Sequence, residues 1–331
     1  MGDLYSEIRG FNERAAERAE HEVRLLIDYW YDVEMQAREG LELLVSEMED
    51  RQAAGEEITT SMLNRNERYQ SVIDEAMQRQ LYYQELAERA INRARTGEAG
   101  QGLEDTRKTL REAGVDDQWI AASMDQMSTA AVEQMMALLE DQFPVGQVLG
   151  KRFGQYADDA RRKLLGGLAT GKNPREVARD MARSFDRALS DTATICRTEM
   201  IRAYREAQRI AYEDSKQVDY YRRMATHDTR TCIACLVLDG RQYRVNEPLG
   251  DHPNGRCTMV PQVRGKPPVV WQSAEEWFSH LPEYDQAQIM GIGRHQAWKD
   301  GKFEWGDLAQ VVSDPTWGEQ VRVVSLSRLL G

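Results

Sequence analysis

The chain has 331 residues, 41% of them hydrophobic, and a formal net charge of −12. It is too apolar for a disordered protein, and its mean hydropathy of −0.66 is too polar for a membrane protein. No run of 18 apolar residues occurs and the first residues turn polar at once, so no transmembrane helix or secretory signal is predicted. The length allows two or three domains, and the overall acidity disfavours a protein that merely coats nucleic acid.

The charge is unevenly distributed along the chain. Residues 1–150 sum to −16, residues 151–250 to +6 and residues 251–331 to −2. The middle third therefore carries a basic excess that the whole-chain value conceals.

The N-terminal third is predicted to form long helices. Apolar residues recur at steps of three and four from Val23 to Met48, which predicts a helix over about residues 6–49. A second helix is expected from a cap at residues 59–61 to about residue 95, followed by a break at 96–102. An antiparallel helical hairpin is one interpretation, and a docking arm for a helical partner is the other.

Helical character continues through residues 103–143, with a break at 114–117. This region includes a methionine-rich stretch with Met124, Met127, Met135 and Met136. Such a stretch is typical of core filling or of an adaptable contact surface. Asn173, Pro174 and Glu176 then predict the start of a short helix ending near Phe185, and a further helix is expected over about 190–214.

The basic excess of this region has two interpretations. Solvated helix faces explain it without a ligand, whereas DNA or phosphate contact would use the same charges. The candidate DNA-contact residues are Arg161, Arg162, Lys163, Arg175 and Arg179. No aromatic residues are interleaved for base stacking.

Beyond residue 217 the pattern becomes mixed. Strands are predicted at 218–225 and 258–263, and a β-hairpin at 236–245 with a type I′ turn at Asp239-Gly240. The tail begins with a capping box at 273–276 and is predicted to be helical, with five tryptophans that suggest a small core or an aromatic functional cluster.

Three of the four cysteines lie close together with a histidine: Cys232, Cys235, His252 and Cys257. Tetrahedral zinc needs four ligands, which a CxxC turn and a returning segment can supply in two pairs. A zinc site closed by four protein ligands is structural. A Cys232–Cys235 redox pair and metal-free packing remain alternatives. Cys196 is predicted to be a buried small residue.

Familiar catalytic signatures are missing from the sequence. Phosphate-binding loops, dinucleotide-binding glycines, HExxH and GxSxG are not found, and His252 follows the CxxC without the glutamate that zinc deaminases use. We therefore predict no enzyme activity. The alternatives are a zinc-dependent enzyme or effector using His227, Asp228 and His252, or a nucleic-acid-binding zinc module.

Three motifs in series resemble the Mu F-like head morphogenesis proteins of tailed bacteriophages. Residues 196–212 (CRTEMIRAYREAQRIAY) resemble the "RTE … Y" helix of that family, and residues 227–240 (HDTRTCIACLVLDG) its "DxRxCxxC … LxG" segment. Residues 251–258 (DHPNGRCT) resemble its "HPxCRC" segment. The clear similarity covers residues 185–262, and it departs at Gly255, where family members often carry cysteine.

The resemblance implies a minor head protein of the virion, near the portal vertex, assembled in the host cytoplasm. Such proteins assist head assembly, DNA packaging or DNA delivery. The implied partners are the portal protein, the major capsid protein, packaged DNA and other copies of the chain, with no membrane. The cofactor expected is structural zinc.

The patterns together predict an α+β protein that is predominantly α-helical. Long N-terminal helices would precede a small α+β module with a β-hairpin and a zinc knuckle. The expected domains are a long-helix arm (1–102), the Mu F-like module (103–262) and a helical, Trp-rich subdomain (263–331).

Overall fold

The computed structural model describes residues 4–124, 129–170 and 172–331. The chain is 69% helical and carries small antiparallel sheets, which confirms the predicted fold class. The twelve α-helices found among these residues are α1 (Leu4–Ala53), α2 (Thr60–Arg65), α3 (Glu67–Glu112), α4 (Asp117–Met124), α5 (Thr129–Gln142), α6 (Val145–Ala169), α7 (Pro174–Ser215), α8 (Ile233–Val237), α9 (Ala274–Ser279), α10 (Glu283–Met290), α11 (Ile292–Lys299) and α12 (Leu326–Leu330). The strands are β1 (Val218–Met224), β2 (Gln242–Arg244), β3 (Thr258–Val263), β4 (Ala309–Asp314) and β5 (Gly318–Val323).

The predicted strands at 218–225 and 258–263 are confirmed as β1 and β3. They belong to an antiparallel sheet with the order β2-β1-β3, in which Tyr221 pairs with Tyr243 on one side and with Pro261 on the other. Strands β4 and β5 form a separate hairpin in the tail, which the sequence analysis predicted to be helical. The short 3-10 helix Trp305–Leu308 directly precedes this hairpin.

The predicted hairpin at residues 236–245 is wrong in its position. Residues 233–237 form the single-turn helix α8, so strand β2 pairs with β1 rather than with a strand that begins at residue 236. Gly240 has a positive φ of 76°, but Asp239 does not share it. The Asp239 carboxylate instead accepts a hydrogen bond from the Ala225 amide at 2.7 Å, which draws the turn against the end of β1.

The predicted second helix is divided at Asn66 into α2 and α3. Thr59 caps α2 by accepting a hydrogen bond from the Met62 amide, and Asn66 accepts one from the Tyr69 amide at the start of α3. The break predicted at 96–102 is wrong, because α3 runs through it to Glu112. A Cβ atom on Gly102 would lie 2.5 Å from the Tyr204 carbonyl oxygen, so this glycine permits close helix packing.

The two helices predicted between 174 and 214 are one continuous helix, α7. Its start is confirmed, since the Asn173 side chain accepts a hydrogen bond from the Arg175 amide. Side chains near the predicted start of the second helix have partners that fit a continuous helix. Asp191 accepts a hydrogen bond from the Tyr156 hydroxyl, and the Thr192 hydroxyl donates to the Ala188 carbonyl oxygen within the helix.

The chain divides into two compact units that do not follow chain order. The first comprises the described residues of Met1–Ala19, Ala94–Phe143 and Arg197–Gly331, and the second those of Glu20–Arg93 and Pro144–Cys196. Helices α1, α3 and α7 contribute residues to both units. The boundaries predicted at residues 102 and 262 stay a prediction.

The core of the first unit joins α7, the three-stranded sheet and the tail. It includes Met124 and Met135, in agreement with core filling by methionine, whereas Met127 lies outside the described residues. Trp305 is buried in the tail beside Phe278, and Trp298 packs against both rings. These tryptophans therefore fill a core.

The second unit contains a core formed by α1, α2, α3, α6 and α7, in which Leu44, Leu63 and Leu164 are buried. The rings of Trp30, Tyr83 and Phe153 pack against one another elsewhere in the same unit. Among the described residues of the whole chain, no helix has both the length and the apolar character needed to cross a membrane.

Candidate metal centre

The cysteines of the CxxC segment lie at the start of α8. Cys232 is the N-cap residue, and Cys235 follows within the first turn, with its amide donating to the Cys232 carbonyl oxygen at 2.9 Å. The loop that precedes β3 brings back His252 and Cys257 from the opposite side. A single helical turn and one returning loop therefore supply all four predicted ligands.

The structure places the possible ligand atoms in two groups, and Cys235 belongs to both. The ligand atoms of Cys232, Cys235 and His252 lie within 4.8 Å of one another, as do those of Cys235, Asp251 and Cys257. The Cys235 Sγ and His252 Nε2 atoms are 3.2 Å apart. A cavity of about 30 Å³, enough for one small ion, is lined by Cys232, Cys235, His252 and Cys257.

The orientation of His252 is set by its own loop. Its Nδ1 atom lies 2.8 Å from the Pro253 carbonyl oxygen, which can only accept, so Nδ1 is the donor. This leaves Nε2 facing Cys235. A metal-binding histidine typically donates its second ring N–H in this way.

Hydrogen bonds among the three thiols shift their pKa values even without a metal. A hydrogen bond from Cys235 lowers the pKa of Cys232 to about 7. The same bond, together with burial, raises the pKa of Cys235, and a hydrogen bond with Cys235 together with burial raises that of Cys257. A thiolate at Cys232 is therefore accessible near neutral pH, whereas thiolates at Cys235 and Cys257 require a bound metal cation.

Beside the cysteines lies a buried ion network that the motif spacing does not reveal. The Asp251 carboxylate accepts hydrogen bonds from Arg223 at 2.8 Å and from Arg205 at 2.7 Å, with all three side chains buried. Burial alone would raise the pKa of Asp251, but the two guanidinium groups outweigh it and hold this pKa below its ordinary range. Asp251 is therefore ionised.

The same arginines bind the backbone of the ligand loop. Arg223 donates to the Gly250 carbonyl oxygen at 2.7 Å, and Arg205 donates to the Cys257 carbonyl oxygen at 3.1 Å. A Cβ atom at Gly255 would lie 2.1 Å from an Asp251 carboxylate oxygen. Gly255, where the sequence departs from the resembled motif, thus leaves the space that Asp251 occupies.

The three motifs meet in this region. Thr198 of the first motif accepts a hydrogen bond from the Asn254 amide of the third at 3.0 Å. Glu199 is buried, 3.2 Å from Arg202 and 3.4 Å from Arg95, and burial raises its pKa despite these cations. The first motif therefore supports the ligand loop rather than standing apart from it.

The start of α1 also contacts the ligand loop, which the sequence analysis missed. The Asn12 side-chain amide donates to the Arg256 carbonyl oxygen at 2.7 Å, one residue before Cys257. Tyr5 and Ile8 pack with Met224 and Val260 of the sheet. No local signal identifies these contacts, because each joins residues more than 200 positions apart.

The residues of the enzyme hypothesis have different partners. His227 is buried against Trp277, with Nε2 3.1 Å from the Asp239 carboxylate. Asp228 accepts two hydrogen bonds of 2.8 Å from Arg256. Only His252 belongs to the cysteine cluster.

The candidate DNA-contact residues lie on α6 and α7 in the second unit. Lys163 is 2.7 Å and Arg162 3.8 Å from Asp159, while Arg175 is 3.0 Å from Glu49. Arg179 bonds to the Arg175 carbonyl oxygen, and Arg161 is exposed near Tyr69. Cys196, as predicted, is fully buried in α7.

Cys232, Cys235 and His252 could hold a metal ion, because their two sulfurs and one imidazole nitrogen already converge.

The family model described as phage Mu protein F like protein matches residues 158–260. No curated protein and no solved structure matches the chain. The matched segment contains all three recognised motifs in full and is similar to Mu F-like phage head morphogenesis proteins. The resemblance is therefore confirmed, and this chain carries a Mu F-like segment.

Proposed function

We propose that this chain is a minor head protein of a bacteriophage that acts at the portal vertex during head assembly, DNA packaging or DNA delivery. The observation that carries the proposal is the convergence of the three motifs within the segment that matches the Mu F-like family. Its partners would be the portal protein, the major capsid protein and further copies of the chain. The protein would reside in the virion after assembly in the host cytoplasm.

The cysteine cluster suits a structural role in this proposal. A zinc ion held by Cys232, Cys235, His252 and Cys257 would cross-link α8 to the loop before β3. Four protein ligands leave no open position for substrate, and the residues of the enzyme hypothesis have separate partners. We therefore favour an assembly protein over an enzyme.

Asymmetric imaging of the phage particle tests the location. Density for the chain should appear at one vertex, beside the portal, in few copies. A gold-labelled or tagged chain that distributes over the whole shell would contradict the proposal, as would a mature particle and a procapsid that both lack it.

Elemental analysis of the purified full-length chain tests the metal separately. We expect one zinc per chain, and its loss in Cys235→Ser, with Cys196→Ala as the matched control that retains it. A wild-type chain without zinc would remove the metal from the proposal and leave the assembly role to the imaging experiment.

A further inference from the structure

The candidate metal centre offers more ligands than a tetrahedral ion uses. Cys232, Cys235 and His252 form the first group of possible ligands, and Cys235 belongs to a second group with Asp251 and Cys257. An ion held by the first group needs one further ligand, which either Asp251 or Cys257 must supply. Spacing along the chain does not distinguish the two, because Asp251 immediately precedes His252 in the same loop.

One carboxylate oxygen of Asp251 lies close enough to take the fourth position. Its Oδ1 atom is 3.5 Å from the Cys235 sulfur and 3.9 Å from His252 Nε2, and both of these residues line the small cavity. Carboxylate oxygen is a common zinc ligand beside sulfur and nitrogen. The choice between Asp251 and Cys257 therefore depends on what else holds each side chain.

The partners of Asp251 would have to be displaced before its carboxylate could bind a metal. Arg223 donates to Oδ1 at 2.8 Å, and the His252 amide donates to the same oxygen at 3.0 Å. Arg205 donates to the other oxygen at 2.7 Å. The Arg223 side chain is fully buried, so a metal that took Oδ1 would leave a buried guanidinium group without its carboxylate oxygen. Breaking a buried ion pair in this way is strongly unfavourable.

Cys257 is held through its backbone rather than through its sulfur. Arg205 binds the Cys257 carbonyl oxygen at 3.1 Å, which fixes the loop and leaves the sulfur beside Cys235. Three thiolates and the Asp251 carboxylate would carry four negative charges, which a divalent ion and the two buried arginines offset in full. A buried cluster without excess charge avoids a large desolvation cost.

We propose that Arg223 determines the ligand set of the metal centre by withholding Asp251, so that Cys257 completes a site of three sulfurs and one nitrogen. Arg205 supports this arrangement by anchoring the second Asp251 oxygen. Both arginines are then positioning residues, which act through Asp251 and do not touch the metal. The inference rests on the proposed structural metal site and gives the ion network beside it a role.

Cobalt(II) is the probe, because it occupies tetrahedral zinc sites and its near-ultraviolet absorption grows with the number of cobalt–sulfur bonds. The full-length chain is stripped of metal with a chelator, kept reduced and titrated with cobalt(II). We expect one cobalt per chain in the wild type. In Cys257→Ser the sulfur absorption should fall by about a third, as three thiolates become two. Affinity for cobalt should fall at least about tenfold in the same variant.

The decisive variant combines Cys257→Ser with Arg223→Gln. Removal of the guanidinium group frees Oδ1, so Asp251 replaces the lost sulfur and cobalt affinity should recover by about tenfold over Cys257→Ser alone. Cys257→Ser with Arg209→Gln is the matched control, since Arg209 is a largely buried arginine of α7 that pairs with two glutamates away from the ligand loop. The control should bind cobalt as weakly as Cys257→Ser.

A purely structural role of Arg223 predicts the opposite result, because the loss of a buried ion pair would loosen the loop and weaken metal binding further. The proposal is overturned if the Arg223 double variant binds cobalt no more tightly than its control, or if Cys257→Ser keeps the full sulfur absorption. A wild-type chain that binds neither cobalt nor zinc also overturns it.

Circular dichroism checks that each variant retains its helix content. If the Arg223 double variant does not fold, X-ray absorption of the zinc-loaded wild-type chain decides the ligand set without any substitution. Three sulfur neighbours around the zinc support the proposal, and two overturn it. None of these results alters where the chain lies in the particle, which the imaging experiment decides.

Discussion

The arginines of the two units are used in opposite ways. Arg223 and Arg205 in the first unit are buried and bind both Asp251 and the backbone of the ligand loop. Arg162 and Arg175 in the second unit are 72% and 75% exposed, and each lies near a carboxylate at the surface. The net charge of a segment counts all four arginines equally. Only Arg205 and Arg223 are held in place by several buried hydrogen bonds.

The largest expected effect comes from the cysteines beside the buried pair. The double substitution Cys232→Ser with Cys235→Ser should abolish metal binding and lower the free energy of unfolding by at least about 3 kcal/mol, because a bound metal contributes directly to folding. Thermal melting with and without chelator measures it. If wild type and double variant melt together in both conditions, the cluster has no stabilising metal.

A loss of similar size is expected at the centre of the ion network. Arg223→Met leaves the Asp251 charge buried with one partner fewer, and breaking such a pair costs about 3–5 kcal/mol. Arg162→Met is the matched control at an exposed position and should change stability by less than about 0.5 kcal/mol. Urea denaturation of both variants sharpens the comparison, and equal losses would refute it.

An intermediate loss of stability is expected on substitution of Asp228, because this residue is partly exposed but paired with Arg256. Burial opposes ionisation, yet hydrogen bonds from Arg256 and Thr231 outweigh it and lower the pKa of Asp228 from 3.8. A lowered folded-state pKa gives stability that is present above the unfolded pKa and lost as the pH falls through the folded pKa. Asp228→Asn should therefore cost about 1 kcal/mol at pH 7 and progressively less below pH of about 4. A cost that is independent of pH would contradict the role of this charge.

The smallest effect is expected on DNA binding. Arg175→Gln with Arg179→Gln should leave the dependence of DNA affinity on salt nearly unchanged, because Arg175 is paired with Glu49. Each lost phosphate contact would reduce the slope of log affinity against log salt by about 0.9. Filter binding over a series of salt concentrations measures it, and a reduction of about two would show that these arginines do contact DNA.

Local patterns predicted the elements whose signals lie within a few residues. The caps at Asn173 and Ser273, the strands β1 and β3 and the CxxC turn all depend on neighbours in sequence. The convergence of Cys232, Cys235 and His252 was also expected from spacing and is present. The predicted ligand set itself, including Cys257, stays a prediction.

The errors have a common physical origin. Gly102 and Asp191 indicated breaks in the sequence, yet α3 and α7 continue through them because distant residues change the outcome. Gly102 allows a close approach to Tyr204, and Asp191 is bound by Tyr156. Local propensity contributes a fraction of a kcal/mol per residue, so tertiary contacts override it.

The sequence by itself determined the helical class, the family resemblance and the segment in which metal ligands lie, because each depends on residue types at short, fixed spacings. Only the tertiary structure decided which residues surround those ligands. Asn12, Arg205 and Arg223 reach the ligand loop from remote positions in the chain, and Tyr29 and Tyr82 meet at one groove through the pairing of two helices. Such contacts join residues that are far apart in the chain, so no local pattern in the sequence reveals them.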